Sequence, residues 1–133
     1  MKVLKLIPLA LLLTTTTPAQ AAQGAKSGEQ VYKETCFACH ATGVEKAPKF
    51  GERTAWAPLI KEGQHVLTAH AWVGVRAMPP KGGRPDLSLD EFARAVAYMA
   101  RAAGGDWKDP DAAMLGRIRA EEKERIEQLK QKK

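Results

Sequence analysis

Cys36-Phe37-Ala38-Cys39-His40 is the stretch on which the reading of this chain turns. Two thiols stand with two residues between them and an imidazole follows at once, the spacing of covalent haem attachment. Each thiol can add across one haem vinyl group to give a thioether, and two intervening residues place both sulfurs along one porphyrin edge. The next residue then comes beneath the ring plane, where its imidazole nitrogen reaches iron. These are the only two cysteines among 133 residues. A zinc site would want four ligands, and only three stand together, with His65 or His70 needed as a distant fourth. A thioredoxin-like redox pair would want a strand before the motif and a βαβ context. A disulfide across so short a loop would constrain the unfolded chain little. The expectation is therefore one covalent haem c held by Cys36 and Cys39, with His40 as one axial ligand of its iron.

Upstream of the motif, the first residues are not expected to belong to the fold. Lys2 and Lys5 flank a basic start, Leu6–Leu13 is a compact apolar run broken by Pro8, and a threonine-rich stretch closes on Ala19-Gln20-Ala21. That order is the order of a cleaved export signal. The apolar run falls far short of the roughly 20 residues a spanning helix needs. The expectation is a signal peptide over 1–21 cleaved near Ala21, a periplasmic mature chain, and no retained membrane span. Removing Lys2 and Lys5 from the 21 basic side chains leaves 19 against 15 acidic ones, a formal net charge of +4. Such a surplus suits acidic protein partners but is too weak to argue nucleic-acid binding, and arginines are not clustered among aromatics.

Downstream and around the motif the pattern is helical, without strand alternation or internal repeat. Ser27 with Gln30 makes a capping box that starts a helix running into the cysteine pair. Residues 41–53 read as a loop. Thr54 starts a short helix with Trp56, Leu59 and Ile60 that stops at Gly63, and another runs from about His65 to Val75. Ala77-Met78-Pro79-Pro80-Lys81-Gly82-Gly83 is expected to be neither helix nor strand, since two prolines remove donors and the glycines free the backbone. Ser88 with Glu91 opens a helix with Phe92, Val96 and Met99 on one face, ended by Gly104-Gly105. Asp109-Pro110 reads as an N-cap followed by proline at the first helical position of a last helix reaching Lys133. Its apolar residues, Leu115, Ile118, Ile126 and Leu129, are too sparse for a coiled coil. The domain reading is a haem domain over 22–105 and a charged C-terminal helix over 106–133.

A stable low-spin carrier needs a second axial ligand. His65, His70, Met78, Met99 and Met114 are the candidates within the mature chain. Met99 falls on a buried helical face, where methionine is usually filler. Met114 lies in the terminal extension, and histidines on a helix are more often surface residues than ligands. Met78 is set apart by the two prolines after it, which stiffen a loop able to present a thioether at little ordering cost.

The combination of Cys-x-x-Cys-His, a methionine before Pro-Pro, and a helix ending in Tyr98-Met99 resembles a class I cytochrome c. Thr42-Gly43-Val44, Ala47-Pro48-Lys49, Trp56-Ala57-Pro58 and Met78-Pro79-Pro80-Lys81-Gly82-Gly83 are similar to the bacterial cytochrome c5 type in particular. The resemblance covers roughly Gln30 to Ala100. It implies an all-α, small cytochrome c fold wrapping one covalent haem, to which this chain adds a C-terminal helical extension. It also implies His40/Met78 axial ligation, the Pro48 carbonyl as acceptor of the His40 ring N–H, and Trp56 and Tyr98 packed near the haem. In one respect the chain departs from the pattern: Arg84 and Leu87 stand where a second cysteine pair often occurs, so the loop leaving Met78 lacks that staple.

Iron with both axial positions filled has no open site for substrate, so the expected role is one-electron transfer between redox protein partners, not enzymatic turnover. Methionine ligation favours the ferrous state relative to a second histidine. Lys46, Lys49, Lys81 and Arg84 flank the ligand segments and could form a basic rim for acidic docking surfaces. The alternative role is a haem subunit of a larger respiratory or oxidising complex, docked through residues 106–133.

Overall fold

The computed structural model describes residues 24–133, so the expected signal segment and its cleavage site lie outside the described residues. Among the described residues the chain is helical, as its patterning predicts. Helix α1 (Gly28–Val31), a π-helical turn (Tyr32–Cys36) and α2 (Phe37–His40) follow one another directly. Next come α3 (Arg53–Glu62), α4 (Gln64–Val73), α5 (Leu89–Ala102) and α6 (Ala112–Gln131). Both expected capping boxes form: Ser27 with Gln30 at α1, and Ser88 with Glu91 at α5. Gly63 and Gly74, at φ +98° and +102°, end α3 and α4, where a residue with a Cβ would be strained. The second stop comes before Val75, so α4 is shorter than its apolar stripe predicts.

Two further segments differ from the expectation for identifiable reasons. Pro80–Gly83 forms a short 3₁₀ turn, which the prolines permit because Pro80 takes the first position, where no donor is needed. Lys81 and Gly82 inside it have left-handed φ values of 56° and 63°, so no regular helix propagates. The N-cap of α6 is Asp111, not Asp109. The Asp111 carboxylate accepts from the Met114 N–H at 2.7 Å, whereas Asp109 is taken by Arg101 at 3.0 Å. The connection into α6 is tied down further by the Arg101 guanidinium on the Trp107 carbonyl at 3.0 Å and the Gln64 amide on the Lys108 carbonyl at 2.7 Å.

The core runs without a break from Val31 through Trp56, Trp72, Phe92 and Val96 to Trp107 and Ile118. α1 packs across α5 at a close approach that only glycine allows. A Cβ on Gly28 would lie 2.2 Å from the Arg94 carbonyl oxygen. α6 packs along α4 and buries Ile118 completely. Two side-chain bonds align the pair: His70 to Glu121 at 3.2 Å and the Trp72 indole N–H to Glu122 at 2.9 Å. The C-terminal helix is thus part of the same packed body.

We expect Gly28→Ala to destabilise the holoprotein by roughly 1–3 kcal/mol in chemical denaturation, the usual cost of overpacking. Gly116→Ala, in the interior of α6 with nothing within 4 Å of the added Cβ, should instead stabilise by about 0.5–1 kcal/mol.

Candidate haem site

The π-helical turn carries one extra residue per turn relative to its neighbours, and it ends at the first thiol. Such a turn lets one face of the segment, with Val31 and Tyr32, remain in the core while Cys36, Cys39 and His40 line a cavity on another. Cys36 is buried and Cys39 exposed, and both thiols are free. Burial pushes the Cys36 thiol up to about 11, which leaves it protonated at neutral pH and unsuited to a thioredoxin-like thiolate role. Among the described residues no group of three or more His, Cys, Asp or Glu side chains is placed to hold a metal ion, so the zinc reading finds no support.

His40 is 8% exposed, and its Nδ1 lies 2.9 Å from the Pro48 carbonyl oxygen. A carbonyl can only accept, so Nδ1 carries the proton and Nε2 keeps its lone pair for a metal. The loop that delivers Pro48 is held in turn. The Phe50 N–H donates to the His40 carbonyl at 2.7 Å, and the Trp56 indole N–H donates to the Lys49 carbonyl at 2.8 Å. Trp56 is therefore both a cavity wall and the brace of the segment that orients His40.

Cys36, Cys39, His40, Pro48, Trp56 and Met78 all line one cavity of about 960 Å³. That volume is at the top of the roughly 300–1,000 Å³ range of ligand sites. Met78 is pinned by a two-way backbone pairing with Val75, at 3.1 and 2.9 Å. The residues present fit a haem: two free thiols separated by two residues, an imidazole with its tautomer fixed, a thioether on a tight loop, and apolar walls. Arg125, half-buried, also lines this cavity, and its Nε is covered without a hydrogen-bond partner.

Backbone strain gathers here too. Glu45, Lys46, Arg76 and Lys81 are the described non-glycine residues with positive φ. The first three line the cavity, and Lys81 lies between Pro79 and Gly82, which also do. Each such conformation costs on the order of 1–3 kcal/mol and persists only where its surroundings over-determine it. The loop after Met78 has no cysteine staple, but it is held by burial of Leu87, 5% exposed, and by the Arg84–Asp86 ion pair at 2.9 Å.

Tyr98 is not among the residues lining the cavity. It stands behind the wall, with Tyr32 and Phe50 at ring separations of 5.6 and 5.4 Å. Met99 and His70, set aside by the sequence reading as filler and surface residue, do line the cavity. Met99 is also core, 4% exposed, and the His70 ring N–H is engaged by Glu121. Arg125 was missed altogether, because nothing in its local sequence distinguishes it from the other charges of α6. Of the four rim candidates, Arg84 is paired with Asp86, and Lys81 sits over the Trp72 ring at 4.5 Å. Lys46 and Lys49 have no ion pair among the described residues and are exposed.

Replacing one thiol, as in Cys39→Ser, should leave haem bound through a single thioether. One vinyl then stays conjugated, and the reduced α-band moves to the red. Replacing both should leave no haem on the chain in a denaturing gel stained for haem.

Comparison with known proteins agrees with this geometry. Residues 23–99 match the family described as cytochrome C oxidase, cbb3-type, subunit III. Cytochrome c5 from Azotobacter vinelandii is 43% identical over 79 residues, spanning 58% of this chain and 95% of that one. Cytochrome c-555 from Chlorobaculum thiosulfatiphilum is 42% identical over 79 residues, spanning 56% of this chain and 92% of that one. A chain in the crystal structure of an electron transfer complex of nitrite reductase with cytochrome c is 45% identical, with a TM-score of 0.55, over 57% of this chain and 93% of that one. The chain belongs to this cytochrome c family, as a class I c-type cytochrome resembling cytochrome c5 that carries covalently attached haem c.

Proposed function

We propose that this cytochrome is an exported, periplasmic one-electron carrier whose iron is held low-spin between His40 and Met78. The observation that carries the reading is the joint placement of Met78 and a tautomer-fixed His40 on the cavity that also holds both thiols. When bound, haem supplies a ferrous/ferric couple. The chain's residues supply the rest. His40 presents Nε2 because Pro48 holds the other nitrogen. Met78 presents sulfur from a backbone fixed by Val75 and by the prolines after it. Met99 lies on the core face of α5, 4% exposed, where its side chain fills core, so it is the lesser thioether. Trp56, Leu59, Leu67 and Val96 keep water from the ring.

The surface beside Cys39 supports a docking role. Phe37 and Val44 are 56% and 47% exposed, and Val44 with Lys46 borders the cavity. An apolar patch edged by the unpaired Lys46 and Lys49 suits brief contact with a partner bearing carboxylates. The described residues include no helix long and apolar enough to cross a membrane.

Ferric holoprotein should show the weak near-infrared methionine-to-iron band. Met78→Ala should abolish it, and Met99→Leu should leave it in place. A band that survives Met78→Ala, or vanishes only in Met99→Leu, would show that the ligand is elsewhere. Electron transfer to an acidic partner should slow as salt rises, and Lys46→Gln with Lys49→Gln should flatten that dependence. The family description, which names an oxidase subunit, favours one second reading: the same haem domain held in a larger complex. Comigration of the native protein with a large assembly in size-exclusion chromatography would select it.

A further inference from the structure

We propose that α6 clamps the haem, with Arg125 as the cation that pairs a haem carboxylate. The proposal rests on the reading that haem occupies this cavity through Cys36, Cys39 and His40. α6 lies wholly beyond residues 23–99, the span matched by the family, so nothing in that match assigns it a role. Glu121 and Glu122 stand four and three positions before Arg125, where helical carboxylates ordinarily pair with an arginine. Both are turned away instead. Glu121 holds His70 and Glu122 holds Trp72 and Arg119. Arg125 therefore makes no ion pair among the described residues, and its buried Nε faces no acceptor. Arg94, whose Nε is likewise unpartnered, has Asp90 at 2.8 Å. Arg125 differs in lining the cavity.

A guanidinium N–H covered without an acceptor is costly, and the planar guanidinium matches a carboxylate best. Haem brings two carboxylates, on the ring edge away from its thioethers. Bonds from α4 to the two glutamates fix α6 in register, so Arg125 reaches the cavity from a braced helix. A cation held there disfavours the ferric charge. The clamp thus both covers the haem and raises its tendency to stay reduced.

The test is the midpoint potential of purified holoprotein carrying R125Q, R125K or R125E. Haem content by pyridine haemochrome and the methionine band serve as controls. R125Q should lower the ferrous-to-ferric ratio at fixed ambient potential by roughly threefold or more, about 28 mV at 59 mV per tenfold for one electron. R125E should lower it further, and R125K should restore most of the wild-type ratio. A ratio in R125Q equal to wild type would overturn the proposal. So would an R125K protein as low as R125Q, which would mark a packing role. If R125E undocks α6, the R125Q and R125K proteins decide. A wild-type protein without thioether-bound haem would defeat the underlying reading instead, which separates the two failures.

Discussion

The hydrogen bond from the His40 ring to the Pro48 carbonyl is the constraint around which this molecule is arranged. It decides which imidazole nitrogen has a lone pair, and its geometry decides where that lone pair points. A covalent tether at Cys36 and Cys39 would hold a porphyrin without it, but would not place an iron ligand. The bond works only if residues 41–50 return to the motif with Pro48 at the correct height. Three devices ensure that: the left-handed turn at Gly43, Glu45 and Lys46, the Phe50 N–H on the His40 carbonyl, and the Trp56 indole on Lys49. The loop is irregular in backbone but heavily specified.

The same logic explains why strain concentrates around the cavity. A small chain that encloses about 960 Å³ cannot fill its centre with its own side chains. Its loops must approach the ring from several directions, and some residues then adopt φ values that isolated peptides avoid. The helices carry the compensating stability. α1 on α5, with Gly28 against Arg94, and α5 on the Trp72 ring form the packed layer to which the loops are anchored.

Legibility from sequence followed the range of the interactions. Helix starts written into neighbouring residues, such as Ser27 with Gln30 and Ser88 with Glu91, were readable because a cap is a local contact. Cys36, Cys39, His40 and Met78, which motif spacing, the prolines after Met78 and the family resemblance single out, come together on one cavity. The N-cap of α6 was misplaced by two residues, since Asp109 and Asp111 are equally good caps until Arg101 takes one of them. The π-helical turn at Tyr32–Cys36 left no sequence mark, since no capping side chain or proline or glycine accompanies it. Met99, His70 and Arg125 reach the cavity through contacts between distant segments. Local periodicity could show only that Met99 faces inward and that the other two are polar.

α6 shows how a sparse apolar pattern can still specify a docked helix. Mean burial along it is low, and only Ile118 is buried completely. Hydrophobic area alone would therefore hold it weakly. Besides the buried Ile118, polar contacts set its register: Glu121 bonds His70 and Glu122 bonds Trp72 while also pairing Arg119, so neither carboxylate is left for Arg125. A helix stabilised only for itself would have kept those glutamates for Arg125. Both bond to α4 instead, which fixes where α6 sits on the helix beside the cavity. The charged composition that made the segment look like a solvated tail is then the means by which it is aligned.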